Sequence, residues 1–232
     1  MAIEFTCFGA TTKWFRQKMI RSSESPTQSM AKDDLLCVSF PRHNPGHVPI
    51  LDHVRGPFTP QRRRIVLRRL SVDDLTDFQA YRCDPDVARY QGWEATSDSE
   101  ARAFLDATGK GRLLQAGEWC QIGIAVRPDA ALIGDIGICL SKDETEAEIG
   151  FSLNRQHQGK GLAGDAVRAA IQMVFDETPA HRVIGITDTR NLPSIRLLER
   201  LGFRKIDTLQ SIFQGEACTE YVFALTRRQT AP

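Results

Sequence analysis

Glu146-Ala147-Glu148-Ile149-Gly150-Phe151-Ser152-Leu153-Asn154-Arg155-Gln156-His157-Gln158-Gly159-Lys160-Gly161-Leu162-Ala163-Gly164-Asp165-Ala166 decides the fold, because its hydrophobic period changes part-way along. Apolar Ala147, Ile149, Phe151 and Leu153 alternate with Glu146, Glu148, Gly150 and Ser152, which predicts a strand with one face in a core and one polar face left for chemistry. After Gly164, Ala166, Val167, Ala170 and Val174 recur at helical spacing until Glu177-Thr178-Pro179 stops them. The glycines therefore sit at a helix start.

The first amides of a helix have no partner within it and point outward with the positive end of the helix dipole, an arrangement suited to phosphate. Gly159 and Gly161 lack a Cβ, so an anion can approach their amides, and Lys160, Arg155 and His157 add basic side chains nearby. A turn that merely reverses the chain is the plainer reading of the same residues.

Two cofactor readings fit the turn. Gly159-Lys160-Gly161-Leu162-Ala163-Gly164 matches the G-x-G-x-x-G of dinucleotide sites, and residues 183–188 form a strand ending in Asp188, about where a ribose-binding acid belongs. An NAD(P)-binding oxidoreductase follows from that. Three features oppose it. Residues 154–158 separate the strand from the first glycine; the strand carries Glu146 and Glu148 where a central parallel strand is apolar throughout; and the chain after Asp188 is too short for further βαβ units.

The second reading is a resemblance. Gln156-x-x-Gly159-x-Gly161 after Glu-Ile-Gly-Phe resembles the acetyl-coenzyme A signature of the GNAT N-acetyltransferases. Gly159-Lys160-Gly161-Leu162-Ala163, with Asn191-x-x-Ser194 and Leu201-Gly202-Phe203 downstream, is similar to the branch containing the ribosomal-protein N-terminal acetyltransferases. The resemblance spans roughly residues 64–227. It implies acetyl-CoA as cosubstrate, an amine acceptor and direct transfer without a metal. It also implies a cofactor set of Phe151, Leu153, Gln156, Gly159, Lys160, Gly161, Leu162, Ala163, Asn191 and Ser194, with the Phe151 and Leu153 amides on the pantetheine and the thioester. Many members carry a tyrosine at the position of Leu198 to protonate the departing thiolate. Here Ser194, the serine proposed for this role in the resembled branch, takes its place, and Leu198 keeps open a catalytically silent acyl-CoA-binding protein.

Attack by an amine on a thioester requires that the amine lose a proton, so a nearby carboxylate is expected. Glu148 is the candidate base, because it lies on the polar face of the strand entering the glycine loop; a solvated strand residue is the alternative. Asn191 caps the helix that begins at Leu192, and its amide can also meet the pantetheine arm.

Thirty basic residues against 29 acidic leave a formal charge of +1, so no global field points to nucleic acid or a membrane. The six cysteines show no C-x-x-C pair; Cys120 and Cys139 fall in apolar strand patterns and read as small core residues. Without an apolar leader or a membrane span, a cytoplasmic location is expected. Oligomeric state and the identity of the acceptor are not legible.

Residues 1–60 are rich in Ser and Pro with short apolar fragments, and are expected to be a poorly ordered extension before a domain at 61–228. Within the extension, residues 14–21 have the pattern of a short basic helix, and His43, His47 and His53 lack the ligand set of a metal site. In the domain, residues 62–70 read as a first strand, its arginines a solvated edge. Ser71 and Ser97 read as caps of two helices, joined by Tyr90-Gln91-Gly92-Trp93, either an acceptor-site wall or core plugs. Strands at 119–126 and 131–140 form a meander with the Glu146 strand; after the glycine loop come a helix, a buried strand at 182–187, a helix and a last strand at 219–225. The predicted fold is α+β: a mixed, mostly antiparallel central sheet flanked by helices on both faces, acyl-CoA N-acyltransferase-like.

Overall fold

The computed structural model describes residues 64–93 and 96–227. The extension at 1–60, with its short basic segment and its histidines, lies outside the described residues.

One seven-stranded sheet organises the chain, with strand order β1-β2-β3-β4-β5-β7-β6. β1 (Ile65–Arg68), β2 (Trp119–Val126), β3 (Ala131–Leu140) and β4 (Glu146–Leu153) form an antiparallel meander. Between β1 and β2 lie α1 (Leu75–Arg82), α2 (Pro85–Ala88) and α3 (Asp98–Lys110). α4 (Leu162–Glu177) connects β4 to β5 (Arg182–Asp188), α5 (Leu192–Arg200) follows, and β6 (Arg204–Phe213) and β7 (Glu216–Thr226) close the sheet. The sheet is mixed with helices on both faces, as the periodicities predict.

The caps stand where the serines place them. Ser71 opens a 3-10 turn at Val72–Asp74 that runs into α1, and Ser97 forms a capping box with Glu100 at the start of α3. The Ser97 hydroxyl, donating to Glu100, holds that carboxyl below the usual carboxylate range.

Two cores result. On one face Ala147, Ile149, Val183 and Phe223 pack with Ala166, Val167, Ala170 and Val174 of α4 and Ile195 and Leu198 of α5. On the other, Leu75, Phe78 and Tyr81 of α1 meet Ala101 and Leu105 of α3 and Trp93. Burying each Val, Leu, Ile or Phe side chain among these stabilises by about 1.5–3 kcal/mol.

The polar face of β4 is not open, which corrects the sequence expectation. Gln121, Asp135, Glu148 and Ser152 form a buried polar layer beneath α1 and α3, and Glu148 is 0% exposed. Its organiser is Asp135, whose Oδ2 accepts from the Tyr81 hydroxyl at 2.7 Å and from Arg82 Nη2 at 2.7 Å. The Arg82 guanidinium lies 3.8 Å from the Trp93 ring centroid and 4.7 Å from that of Phe78. Burial first, and Asp135 second, hold the Tyr81 phenol well above its usual value, so it stays a donor.

β6 has no counterpart in the sequence reading. A bulge between Lys205 and Asp207 breaks its alternation, so Ile206, Leu209 and Ile212 fall three apart and hide a strand whose side chains are mostly exposed or half-buried. The β6–β7 hairpin turns through Gln214 and Gly215, both at positive φ, 50° and 84°, as a two-residue loop matched to strand twist requires.

Candidate active site

β4 and β5 are the only parallel neighbours in the described sheet, and they pair at just three positions, Glu146 with Arg182, Ala147 with Val183 and Glu148 with Ile184. Beyond Glu148, β4 stays with β3 while β5 stays with β7 as far as Asp188 opposite Glu220. The sheet therefore opens, and a cleft enters between the strands. Ile149, Gly150 and Phe151 line it from β4, Gly185 to Asp188 from β5, and Asn191, Ser194 and Leu198 from the α5 region.

The open edge of β4 is polar backbone. Asn154 N donates to Ile133 O on the β3 side, so strand alternation turns the amides of Phe151 and Leu153 toward the gap. Their carbonyls are already engaged: Gln91 Nε2 donates to Phe151 O at 3.3 Å and Gln158 Nε2 to Leu153 O at 2.9 Å. What remains at this edge are donors, the groups that a pantetheine carbonyl or a thioester oxygen would accept from.

The edge leads into the glycine turn. Gly159 and Gly161 have φ of 71° and 79°, a left-handed backbone that a Cβ would strain. A Cβ at Gly159 would meet nothing within 4 Å, so the turn borders open space. Gly161 is the N-cap of α4 and offers no side-chain hydrogen bond, so the first amides of this 16-residue helix, at Leu162 and Ala163, carry no capping partner. The Leu162 side chain is buried in the core while Lys160 is exposed beside the turn. Gln156 lies exposed in the short 3-10 turn Arg155–His157, its amide donating to Asn154 Oδ1.

Two basic residues change places relative to expectation. Arg155 is turned away from the glycine turn to Asp86, at 2.6 Å, and Asp84, at 3.3 Å. Arg64, expected on a solvated edge, donates Nη1 to Lys160 O at 2.8 Å and pairs through Nη2 with Asp165 at 2.7 Å. It lies 96 residues from Lys160, a separation across which no local pattern could have linked them.

At the other end of the cleft, Asn191 Oδ1 accepts from Ser194 N at 3.3 Å, which confirms the cap. Ser194 and Leu198 lie one turn apart on α5 and both line the cleft. Gly185 makes room for Leu198: a Cβ there would lie 3.0 Å from Leu198 Cδ2. Glu148 does not line the cleft. It sits opposite Cys139, whose thiol is pushed up to about 12, by burial first and then by Glu148.

Tyr90-Gln91-Gly92-Trp93 divides between its two readings. Tyr90, Gln91 and Gly92 form a cleft wall, and Trp93 is the plug beneath them, 8% exposed under Arg82. Sequence reasoning missed Gln158, Phe213 and Glu220; the last two also line the cleft. Asp188, read as a possible ribose ligand, is held by Arg190, whose backbone N and Nε donate to Oδ1 and whose Nη2 donates to Oδ2. Those bonds hold its carboxyl below the usual range. Among the described residues no group of acids, histidines and cysteines is arranged to hold a metal, and no helix is long and apolar enough to cross a membrane.

Comparison with known proteins agrees with this geometry. A family model described as the Acetyltransferase (GNAT) domain matches residues 64–204. The chain belongs to the GNAT acetyltransferase family. It is 30% identical over 172 residues to the uncharacterized N-acetyltransferase p20 of Bacillus licheniformis, covering 72% of this chain and 96% of that protein. Its fold matches the ribosomal L7/L12 alpha-N-protein acetyltransferase RimL with a TM-score of 0.64 at 16% identity, over 81% of this chain and 99% of that one. It also matches the microcin C7 self-immunity acetyltransferase MccE, solved with acetyl-CoA and AMP, with a TM-score of 0.63 at 18% identity, over 71% and 93% of the two chains. The GNAT chain is thus an acetyl-CoA-dependent acetyltransferase. The dinucleotide motif has its explanation as well: β4-α4-β5 is a single βαβ unit set in an otherwise antiparallel sheet, without the repeated units of a dinucleotide domain.

Proposed function

We propose that this GNAT enzyme transfers the acetyl group of acetyl-CoA directly to a primary amine, on a protein N-terminus or a small molecule, with no covalent enzyme intermediate. The observation that carries the reading is that uncapped amides stand at the α4 N-terminus and that β4, whose open edge presents further amides, lines one cleft with Ser194. In this reading Gly159, Lys160, Gly161, Leu162 and Ala163 hold the pyrophosphate, with Gln156 beside them. The Phe151 and Leu153 amides hold the pantetheine and polarise the thioester, and the Asn191 side-chain amide, whose oxygen already caps α5, offers its nitrogen to the same arm. Ser194 protonates the departing thiolate, the task left by Leu198. Glu148, buried on β4, maintains the polar layer and does not touch the amine directly.

The fully apolar Leu198 also favours a second reading, a protein that binds acyl-CoA without turnover. One set of measurements separates them. Calorimetric titration should show binding of acetyl-CoA and none of NADH. Release of free thiol in the presence of an amine panel should then be amine-dependent, and Ser194→Ala should lower turnover by about 10- to 100-fold while leaving acetyl-CoA affinity within about threefold. Binding without thiol release from any amine would leave the silent reading standing.

A further inference from the structure

β7 is more buried on the face away from α4 and α5 than on the face beneath them. Cys218, Glu220, Val222 and Ala224 alternate along the strand and are exposed by 8% or less. Ala217, Thr219, Tyr221 and Leu225, which share the side of Phe223 and the α4–α5 core, are exposed or half-buried. Ile184 of β5, at 0%, continues the buried set. The cluster formed by Ile184, Val222 and Ala224, with Ile186 and Leu209 against it, draws on β5, β6 and β7 alone among the described residues. α1 and α3 close a different cluster, with Leu132 of β3, three strands from β7.

A sheet face with no layer over it leaves its side chains in water, so apolar residues at 0% exposure require a cover. All of this burial arises within one chain, so the cover is part of it. Besides residues 1–63, only 94–95 and 228–232 lie outside the described part. Those two stretches are too short to cover strands of 7, 10 and 11 residues. The cover therefore comes from the extension.

Charge and length select the segment. Glu146 and Glu148 of β4, Asp188 of β5 and Glu220 of β7 share this face by strand parity. The bases among them are Arg182, paired with Glu146, and Arg190, paired with Asp188. The face is thus apolar at its centre and acidic in sum. Residues 14–21 are its complement: Trp14, Phe15, Met19 and Ile20 are apolar, Arg16, Lys18 and Arg21 are basic, and no acid stands among them. The other apolar fragments of the extension, at 3–8, 33–40 and 48–54, all carry acids. Residues 22–63 join the segment to β1, and β1 lies five strands from β7, about 24 Å at the usual strand spacing. A flexible chain of that length spans about 35 Å on average.

We infer that residues 14–21 dock on the β5–β7 face of their own chain, with their apolar side chains over Ile184, Val222 and Ala224 and their cations toward its acids. Glu220 belongs both to this face and to the cleft lining, so the docked segment covers one side of the cleft mouth. The docking does not depend on the acetyl-transfer reading.

The test uses the full chain without acetyl-CoA or amine, so its failure is separate from a failure of that reading. Phe15→p-benzoylphenylalanine, irradiated, should form an adduct within the same chain on peptides of β5 or β7. Cys218 serves as a second probe, because a thiol reacts with a disulfide reagent only as fast as its cover opens. Trp14→Ala with Phe15→Ala, and separately Arg16→Glu with Lys18→Glu and Arg21→Glu, should each speed its labelling by about tenfold or more. Cys120, in the core with α4, should keep its wild-type rate. An adduct joining two chains would make the cover a second copy and overturn the assignment. An adduct on another surface, no adduct, or wild-type labelling of Cys218 in either variant would overturn it as well. The cross-link alters a single side chain, so it decides the case even where a multiple variant loosens the whole fold.

Discussion

Arg82 Nη2 lies 2.7 Å from Asp135 Oδ2 with both side chains buried, so the face of the sheet under α1 is held by an ion pair rather than by apolar packing alone. The same guanidinium covers Trp93, the residue after the Tyr90-Gln91-Gly92 wall. Asp135→Asn removes the buried carboxylate charge that faces Arg82, a change that costs about 3–5 kcal/mol. Denaturant unfolding should show that loss, and KM for the amine should rise more than the dissociation constant of acetyl-CoA. A variant of unchanged stability would mean that the guanidinium does not depend on the Asp135 charge.

Arg64 offers a test on the cofactor side. It fixes the Lys160 carbonyl and the first turn of α4 from a strand far away in the chain. Because its side chain is half exposed, Arg64→Ala should cost no more than about 1 kcal/mol of stability. Acetyl-CoA affinity should fall by roughly three- to tenfold as the turn loosens, a loss of about 0.7–1.4 kcal/mol in binding. Arg64→Lys should not restore it, since an ammonium cannot serve the carbonyl and the carboxylate with one planar fork.

Gly161→Glu acts on the turn itself. The residue has φ of 79°, and a Cβ would lie 3.2 Å from Arg64 Nη2. The added backbone strain is about 1–2 kcal/mol, so the fold should survive. The new carboxylate would stand where pyrophosphate is expected, and calorimetry should find acetyl-CoA binding reduced by at least 100-fold. Retained binding would move the phosphate site elsewhere.

The glycine turn, the Asn191 cap and the meander were legible because each is a local pattern with a single backbone solution. The fate of the polar face of β4 was not: alternation shows that Glu148 and Ser152 share a face, but not that α1 and α3 cover it, since that depends on Tyr81 and Arg82 reaching Asp135 across more than 50 residues. Glu220 was hidden for the same reason. It becomes part of the cleft only because β7 inserts between β5 and β6, an order the sequence does not state. Arg155 misled because proximity in sequence to the glycine turn was taken for proximity in space, and its partners, Asp84 and Asp86, arrive from α2.

The Asp188–Arg190 pair predicts a pH dependence whose sign follows from the depressed carboxyl. A group whose folded pKa lies below its unfolded value contributes stability above the unfolded pKa and loses it as pH falls through the folded one. Asp188 is such a group, chiefly through the Arg190 side-chain bonds. Arg190→Gln removes them, so the variant should be less stable than the wild-type protein at pH 7 and above, and the difference should close as pH falls through the range in which Asp188 takes up its proton. Melting curves recorded between pH 3 and pH 7 would show the gap closing, and a gap that stays constant across that range would mean that the Arg190 side chain does not set the depression.

Glu148→Gln distinguishes a base from a structural carboxylate. The side chain is enclosed with Cys139 beside it, and burial dominates the raised thiol pKa of about 12, so removing the Glu148 charge should leave that thiol unreactive toward a disulfide reagent at neutral pH. Exchanging a buried carboxylate for an amide turns one acceptor into a donor in a fixed polar layer, which should lower stability by about 1–3 kcal/mol. Turnover at saturating amine should stay within about threefold of wild type, and the acidic limb of kcat/KM should persist, because Glu148 is enclosed and does not line the cleft. If instead the acidic limb vanishes while the melting temperature holds, Glu148 reaches the amine through a bridging water and is the base.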